Sequence, residues 1–346
     1  MKNKREFLSG SDVVVRAVRD AGAVSMYGYP ITPGTEILSK WIREAARDKR
    51  MKYLQTEDEI AAGFAVAGAV LAGEKSFTAT AGPGTILMQD ALSMAEGMRL
   101  PFVAIIVQRG GPSSGTVIYS QQEVVLATHG GNGEGMRIVY SPSSLTELYD
   151  MTRRAFNDAA RYRFPALVLT DGYLVKTKQV ISNFKKIKNI PAPKIVSRTG
   201  HVNLRNIFTV EEELNEEILR AQKDYVKMSK TIAKSESYLV ADADTIIIAH
   251  GIVGRVARDA VDKLRARGLR VGLWRPLTLA PLDVRGFAKT RRAKNFVVAE
   301  SSAGQLADLL KNRISNCPNF STYFRPALGI ETDEIVKFVM KKYAKK

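Results

Sequence analysis

Tyr29-Pro30-Ile31-Thr32-Pro33-Gly34-Thr35-Glu36 is the stretch from which the rest of the chain can be ordered. It follows an apolar run at 23–27 and precedes an amphipathic one at 37–46. That pattern predicts a short strand ending in a rigid turn that opens a helix. Two prolines fix their own φ angles and restrict the residues before them, so Thr32 is held between them. We read the turn as a device for presenting the Thr32 hydroxyl. In open α/β sheets, ligands bind outside the carboxyl ends of strands, which is where this turn falls.

Working outward, the apolar periodicity alternates between helix and strand as far as about residue 175. Helices are predicted over 11–21, 34–46, 57–72, 86–96 and 143–160. Strands are predicted over 23–27, 52–55, 76–80, 102–107, 137–140 and 166–169. Such alternation implies a parallel sheet covered by helices on both faces. The pattern then breaks. Residues 185–193 form a basic, proline-containing connector, and 210–234 read as a charged helix with Leu214, Ile218 and Ala221 on one side. This segment is either a helical excursion or a packing arm. A second α/β unit follows, with strands over 245–249, 270–274 and 295–299. Its helices cover 253–266 and 304–313, the latter being the last one predicted. The expected fold class is α/β, with two doubly wound α/β domains at 1–178 and 241–346 joined by 179–240.

The 346 residues suffice for two domains with their own cores. The formal charge of +17 fits a heavily solvated surface, an acidic partner or nucleic acid. Lys and Arg are spread rather than blocked and carry no interleaved aromatics, so no nucleic-acid partner is expected. The uncharged, Ala- and Gly-rich run 60–73 falls short of the roughly 20 residues of a membrane span. The first ten residues lack an apolar h-region, so a cytoplasmic location is expected. A single cysteine, Cys317, excludes an internal disulfide and any thiolate cluster built by this chain alone. His129, His201 and His250 are too scattered for a metal motif, and no metal site is expected here.

Three further motifs carry chemistry. Gly82-Pro83-Gly84 follows a strand and opens a helix, so it is either a tight turn or an anion-binding helix start. Glu57-Asp58-Glu59 heads a helix of very small residues, Ala61 to Ala69. These acids either complement the helix dipole or place a buried, proton-active carboxyl beside a closely approaching ligand. Arg109, in Gln108-Arg109-Gly110-Gly111-Pro112-Ser113-Ser114-Gly115, is either a solvated loop residue or a fork for a carboxylate or phosphate. His129 opens another glycine-rich loop. Thr32, Glu59 and Arg109 thus fall at the carboxyl ends of three predicted strands, and that convergence predicts one site.

In order, YPITPGTEI (29–37), TEDEIAA (56–62), TATAGPGTILM (78–88), VQRGGPSSG (107–115) and YSPSSLTELYDMTRRAF (140–156) resemble the alpha subunit of 2-oxoacid:ferredoxin oxidoreductases. The resemblance covers most of 5–178. It continues more weakly through IIAHGIVGRVARDAV (247–261), VGLWRPLTLAPLD (271–283) and VVAESSAGQL (297–306). It implies a thiamine-diphosphate enzyme, with a pyrimidine-binding first domain and a transketolase C-terminal-like second one. Glu59, followed nine positions later by Gly68, matches the glutamate that contacts the aminopyrimidine in this class, whereas Glu57 does not. Gly82, Pro83 and Gly84 would lie against the cofactor. Thr32 and Arg109 would face the 2-oxoacid, Arg109 gripping its carboxylate, with Tyr29, Pro30, Ile31 and Pro33 forming the same wall.

The Gly-Asp-Gly…Asn motif that anchors diphosphate and Mg²⁺ is missing. Thr170-Asp171-Gly172 is the nearest string, and Asn183 follows it too closely. The resemblance therefore implies a beta subunit supplying the diphosphate–Mg site and an iron–sulfur cluster, with CoA as co-substrate and ferredoxin as acceptor. Separate gamma and delta subunits have room in the same scheme. Relatives with a Gly-Gly-His-Gly-Asp run have His where this chain has Asn132, which leaves the role of that histidine open. The implied activity is oxidative decarboxylation of a 2-oxoacid, 2-oxoglutarate or a branched-chain acid ahead of pyruvate. Two alternatives stand beside it: half of a non-oxidative thiamine enzyme, and a non-catalytic partner-binding paralogue.

Overall fold

Val103 to Gln108 is buried at every position, which only a central strand with both faces covered allows. The computed structural model describes residues 5–182, 184, 187–195 and 204–343. His201 and Asn183 lie outside these residues, as does part of the 185–193 connector. In chain order the strands are β1 (Arg5–Ser9), β2 (Ser25–Gly28), β3 (Lys52–Gln55), β4 (Ser76–Thr80), β5 (Val103–Gln108), β6 (Ile138–Tyr140) and β7 (Ala166–Asp171). They continue as β8 (Lys178–Ser182), β9 (Ser235–Tyr238), β10 (Thr245–Ile248), β11 (Val271–Pro276), β12 (Thr278–Ala280), β13 (Asn295–Glu300) and β14 (Phe320–Phe324).

The first sheet has the order β12-β6-β7-β5-β4-β2-β3 and is parallel except at β12. Alternate residues of β5 feed two cores. Val103, Ile105 and Val107 meet helices Gly10–Asp20, Thr35–Ala45 and Leu145–Tyr162 on one face. Ala104 and Ile106 belong to a second core, which runs on into Ile246, Ile248, Trp274 and Val298. The second sheet, β14-β13-β10-β11-β9, is parallel except at β9. The two α/β units therefore share a core, and β12 of the later unit hydrogen-bonds to β6 of the earlier one.

The turn at 29–34 is held from below. Trp41 on helix Thr35–Ala45 is fully buried against Phe77, and its indole N–H donates to the Lys52 carbonyl at 2.9 Å. Removing a ring so buried costs on the order of 3–5 kcal/mol, so this helix anchors firmly.

Several elements differ from the sequence expectation. Strand β1 pairs antiparallel with β8, although neither segment has a usable apolar pattern. The helix expected over 86–96 is two, Pro83–Leu87 and Gln89–Gly97, meeting at Met88. Helix Thr332–Tyr343, not 304–313, is the last, and it buries Ile335, Val336 and Val339. Residues 124–129, for which no element was expected, form a short helix ending at His129. No helix among the described residues is long and apolar enough to cross a membrane.

Candidate functional site

The carboxyl ends of β2, β4, β5 and β7 lie side by side in the first sheet, and the expected residues gather there. The turn after β2 starts its helix through the Thr35 N–H, which donates to the Ile31 carbonyl at 2.9 Å. The Thr32–Pro33 peptide is cis. Thr32 is exposed and Pro33 buried, while Tyr29, Pro30 and Ile31 are exposed or half-buried. What Thr32 offers Arg109 is its backbone carbonyl rather than its hydroxyl: Arg109 Nη1 donates to Thr32 O at 2.7 Å.

The three acids before the small-residue helix divide their tasks. Glu57 is exposed. Asp58 is the helix N-cap, accepting from the Ala61 N–H at 2.7 Å. Glu59 begins helix Glu59–Leu71 and is turned inward, with 3% of its surface exposed. Burial pushes its carboxyl above the usual range, opposed by the Thr80 hydroxyl 3.5 Å away and by the nearby positive charge of Arg109. The helix-dipole role thus belongs to Asp58, and the buried proton-active role fits Glu59.

Gly84 leaves the room Glu59 needs, since a Cβ there would collide with the Glu59 carboxylate and the Thr80 hydroxyl. Gly82 has φ +54°, and a Cβ on it would lie 2.6 Å from Arg109 Nε. The turn through Pro83 is therefore compressed between Glu59 and Arg109. It has no vacancy for an external anion at the Gly82 amide, which donates to Glu123 Oε1 at 3.0 Å. Gly68, in contrast, faces open space, with nothing near its Cβ position.

Arg109 is 6% exposed at the end of β5. Its Nε has no hydrogen-bond partner among the described residues, so the guanidinium keeps donor capacity beyond the bond to Thr32. Its backbone N–H donates to Glu123 Oε1 at 3.0 Å, and the Thr85 hydroxyl donates to Glu123 Oε2. Glu123 is itself buried. Desolvation raises its pKa, and the donors from Thr85, Arg109 and Gly82 oppose that rise. The positive charge of buried Arg109 thus acts on two buried carboxyls, Glu59 and Glu123.

Glu123 was not foreseen. It lies in Ser120-Gln121-Gln122-Glu123, which has no motif, and only the fold brings it under Gly82 and Arg109. Thr80 and Thr85 were likewise hidden inside a strand and a short helix. His129 stands apart, bonded to Thr128 at 2.8 Å through Nδ1 and to Arg313 through Nε2. Asn132 is exposed. Among the described residues no group of three or more His, Cys, Asp or Glu side chains could hold a metal.

The arrangement can share a proton at Glu59 and fix an anion at Arg109, both held at the carboxyl ends of the first sheet. It also suits a nitrogen of a flat heterocycle: Glu59 is buried, its Thr80 partner is distant at 3.5 Å, and Gly84 beside it carries no side chain.

Comparison with known proteins narrows this. Residues 16–238 match the family described as pyruvate flavodoxin/ferredoxin oxidoreductase, thiamine diphosphate-binding. Residues 243–327 match pyruvate:ferredoxin oxidoreductase core domain II. Ketoisovalerate oxidoreductase subunit VorB of Methanothermobacter thermautotrophicus is 35% identical over 315 residues, covering 88% of each chain. 2-Oxoglutarate synthase subunit KorA of Methanocaldococcus jannaschii is 32% identical over 332 residues, covering 88% of this chain and 90% of the relative. A solved 2-oxoglutarate:ferredoxin oxidoreductase from Magnetococcus marinus, with 2-oxoglutarate, coenzyme A and succinyl-CoA bound, superposes with a TM-score of 0.88 at 29% identity. That superposition covers 98% of this chain but 65% of the solved one, so the solved chain has a region without counterpart here. A split-gene transketolase, at 14% identity and a TM-score of 0.61, shares the fold.

Proposed function

The chain belongs to the pyruvate flavodoxin/ferredoxin oxidoreductase family, as an alpha-type subunit of its 2-oxoacid:ferredoxin oxidoreductases, and from that premise we propose which half of the reaction it carries. It supplies the pyrimidine side of a thiamine-diphosphate site together with the arginine that anchors the 2-oxoacid. The observation that carries this reading is that buried Glu59 and buried Arg109 come together at the same strand ends, with Arg109 close enough for its charge to act on the Glu59 carboxyl.

Glu59, Gly82, Pro83 and Gly84 would hold the pyrimidine. When bound, thiamine diphosphate supplies the electron sink for the bond pair released by the departing carboxylate. Glu59, raised in pKa by burial, holds or returns a proton at its carboxyl oxygen. Arg109 binds the acid's carboxylate and orients it, with the Thr32 carbonyl fixing the guanidinium from behind. Thr32 also offers a hydroxyl that makes no bond among the described residues, and Tyr29, Pro30, Ile31 and Pro33 complete that wall. The C1–C2 bond of the acid breaks, carbon dioxide leaves, the acyl carbon passes to the thiolate of CoA, and the remaining electron pair goes to ferredoxin.

The chain completes this only with a beta subunit, which would bring the diphosphate–Mg²⁺ anchor and the iron–sulfur cluster; its single cysteine cannot hold one. A surface for that subunit is at hand. Ile60 and Phe64, one turn apart on helix Glu59–Leu71, are exposed beside Ile86 and Leu87 of the helix packed against it. Tyr53 and Leu54 add exposed apolar area on the edge strand β3. Apolar area grouped in this way marks an interaction site.

The test is turnover by the co-purified complex with thiamine diphosphate, Mg²⁺, CoA and a low-potential acceptor, comparing 2-oxoglutarate, 2-oxoisovalerate and pyruvate. Acceptor reduction dependent on CoA and on one of the first two acids supports the reading. Decarboxylation without acceptor reduction would reassign the chain to a non-oxidative thiamine enzyme. Turnover that survives Glu59→Ala and Arg109→Ala would remove these residues from the chemistry.

A further inference from the structure

We propose that Glu123 is the positioning residue through which the second α/β unit holds Arg109 and the Gly82 turn in working geometry. The proposal rests on the reading of Arg109 as the anchor for the 2-oxoacid.

The local half is geometric. Glu123 Oε1 accepts two backbone N–H groups, those of Gly82 and Arg109, each at 3.0 Å. Those amides follow two adjacent strands, β4 and β5, so one carboxylate oxygen ties their ends together. Oε2 accepts the Thr85 hydroxyl one turn further on. The tied segments are the ones that touch the reacting groups: the turn carries Gly84 against Glu59, and β5 delivers Arg109 to Thr32. Moving Glu123 would shift the guanidinium and the Glu59 neighbourhood together.

The distant half is a strap. Gln121, two residues before Glu123, is bonded to the second unit at three points. Its side-chain amide donates to the His250 carbonyl at 2.9 Å, and its Oε1 accepts the Ser301 N–H at 3.0 Å. Its backbone N–H donates to the Ser301 carbonyl at 3.0 Å. Gln305 then clasps the strap from both sides of Glu123, donating to the Gln122 carbonyl at 2.8 Å and accepting from the Val125 N–H at 3.1 Å. Gln122 Oε1 turns back to the Arg109 loop and accepts the Gly111 N–H at 3.1 Å.

The location of these bonds explains their use. His250 and Ser301 follow β10 and β13, neighbouring strands whose onward connections run in opposite directions across the sheet. In open α/β sheets that crevice is where a ligand binds. Here Gln121 fills it. The second unit thus spends its switch point on gripping the strap instead of on a ligand of its own. The result is a rigid path from the strand ends of the second sheet, through Gln121, to Glu123 and then to both site segments.

Steady-state kinetics on the co-purified complex tests this, with the KM for the 2-oxoacid and the KM for CoA measured separately. Glu123→Ala removes charge-assisted acceptors and is expected to raise the 2-oxoacid KM about tenfold or more, with the CoA KM unchanged. Glu123→Gln keeps an acceptor oxygen and is expected to recover part of that loss. Gln121→Ala, remote from the reacting groups, is expected to give the same split at about fivefold. Should Glu123→Ala fail to assemble, the Gln121 and Glu123→Gln variants decide. Equal loss in every parameter, or no change in any, overturns the positioning role while the wild-type complex still turns over. A wild-type complex inert with every 2-oxoacid overturns the reaction assignment instead.

Discussion

Arg109 and Thr32, 77 positions apart in the sequence, are joined by one hydrogen bond from a guanidinium Nη1 to a main-chain carbonyl. A constrained turn therefore serves as a rest for an arginine, and the arginine is aimed by backbone that mutation of Thr32 cannot remove. Arg109→Ala is expected to lower kcat/KM for the 2-oxoacid by about a hundredfold, the scale of a lost charge-assisted pair. Arg109→Lys should recover only part, because an ammonium cannot hold Thr32 and a carboxylate in one fork. Thr32→Val retains the carbonyl and removes only the hydroxyl. A drop of about tenfold with that variant assigns the hydroxyl to the substrate; wild-type kinetics assign it nothing.

Glu59→Gln keeps the shape and removes the titrating proton. A fall in kcat of about 10²–10⁴-fold is expected, with the complex still assembled. Titration of thiamine diphosphate into the variant complex, followed by quenching of protein fluorescence, separates weaker cofactor binding from slower chemistry.

Two glycines should answer oppositely to alanine. Gly84→Ala drives a methyl into Glu59 and Thr80, so cofactor affinity and stability should both fall. Gly68→Ala meets nothing and replaces a poor helix former, so the isolated chain should gain about 1 kcal/mol in denaturant unfolding. If a beta subunit covers that helix, the same methyl should weaken assembly.

Phe64→Lys is expected to abolish co-purification with the beta subunit while leaving the unfolding midpoint of the isolated chain within a few degrees, since Phe64 is exposed. An intact complex would place the partner on another face.

Asp171 is wholly buried at the end of β7, and burial raises its carboxyl to about 6 while it caps the following helix by accepting the Leu174 N–H at 2.9 Å. The folded state therefore binds a proton that the unfolded state has released between about pH 4 and about pH 6, and wild-type stability falls as pH rises through that window. Asparagine can cap without titrating. The stability of Asp171→Asn relative to wild type should improve by up to about 3 kcal/mol between those limits, then stay level. Chemical denaturation at both pH values measures the difference; a constant offset would show that the carboxyl titrates normally.

Much of the first unit was legible because its strands are continuous apolar runs and its helices carry clean faces, as at 102–107 and 11–21. Arg109 was legible because it follows such a strand, and Glu59 because it heads a helix of very small residues. What escaped has specific causes. Strands β1 and β8 are charged and short, and only their pairing defines them. Helix Thr332–Tyr343 alternates Lys with apolar residues too closely for its buried side to stand out. Glu123 escaped because two of its three partners, the Gly82 and Arg109 amides, are main-chain groups, which leave no mark in a sequence. Thr32 was found for its hydroxyl, whereas its contact with Arg109 runs through the carbonyl, which any residue at that position would carry.

Strand β12 has a consequence for modularity. Because Thr278–Ala280 closes the β6 edge of a sheet otherwise made by the first half, the two halves are not interchangeable cartridges. A second half grafted from a relative would have to bring a matching strand along with acceptors for Gln121, or leave β6 with a bare edge open to intermolecular pairing. Substrate preference in this protein would then be altered by changing residues within the existing halves, not by exchanging one of them.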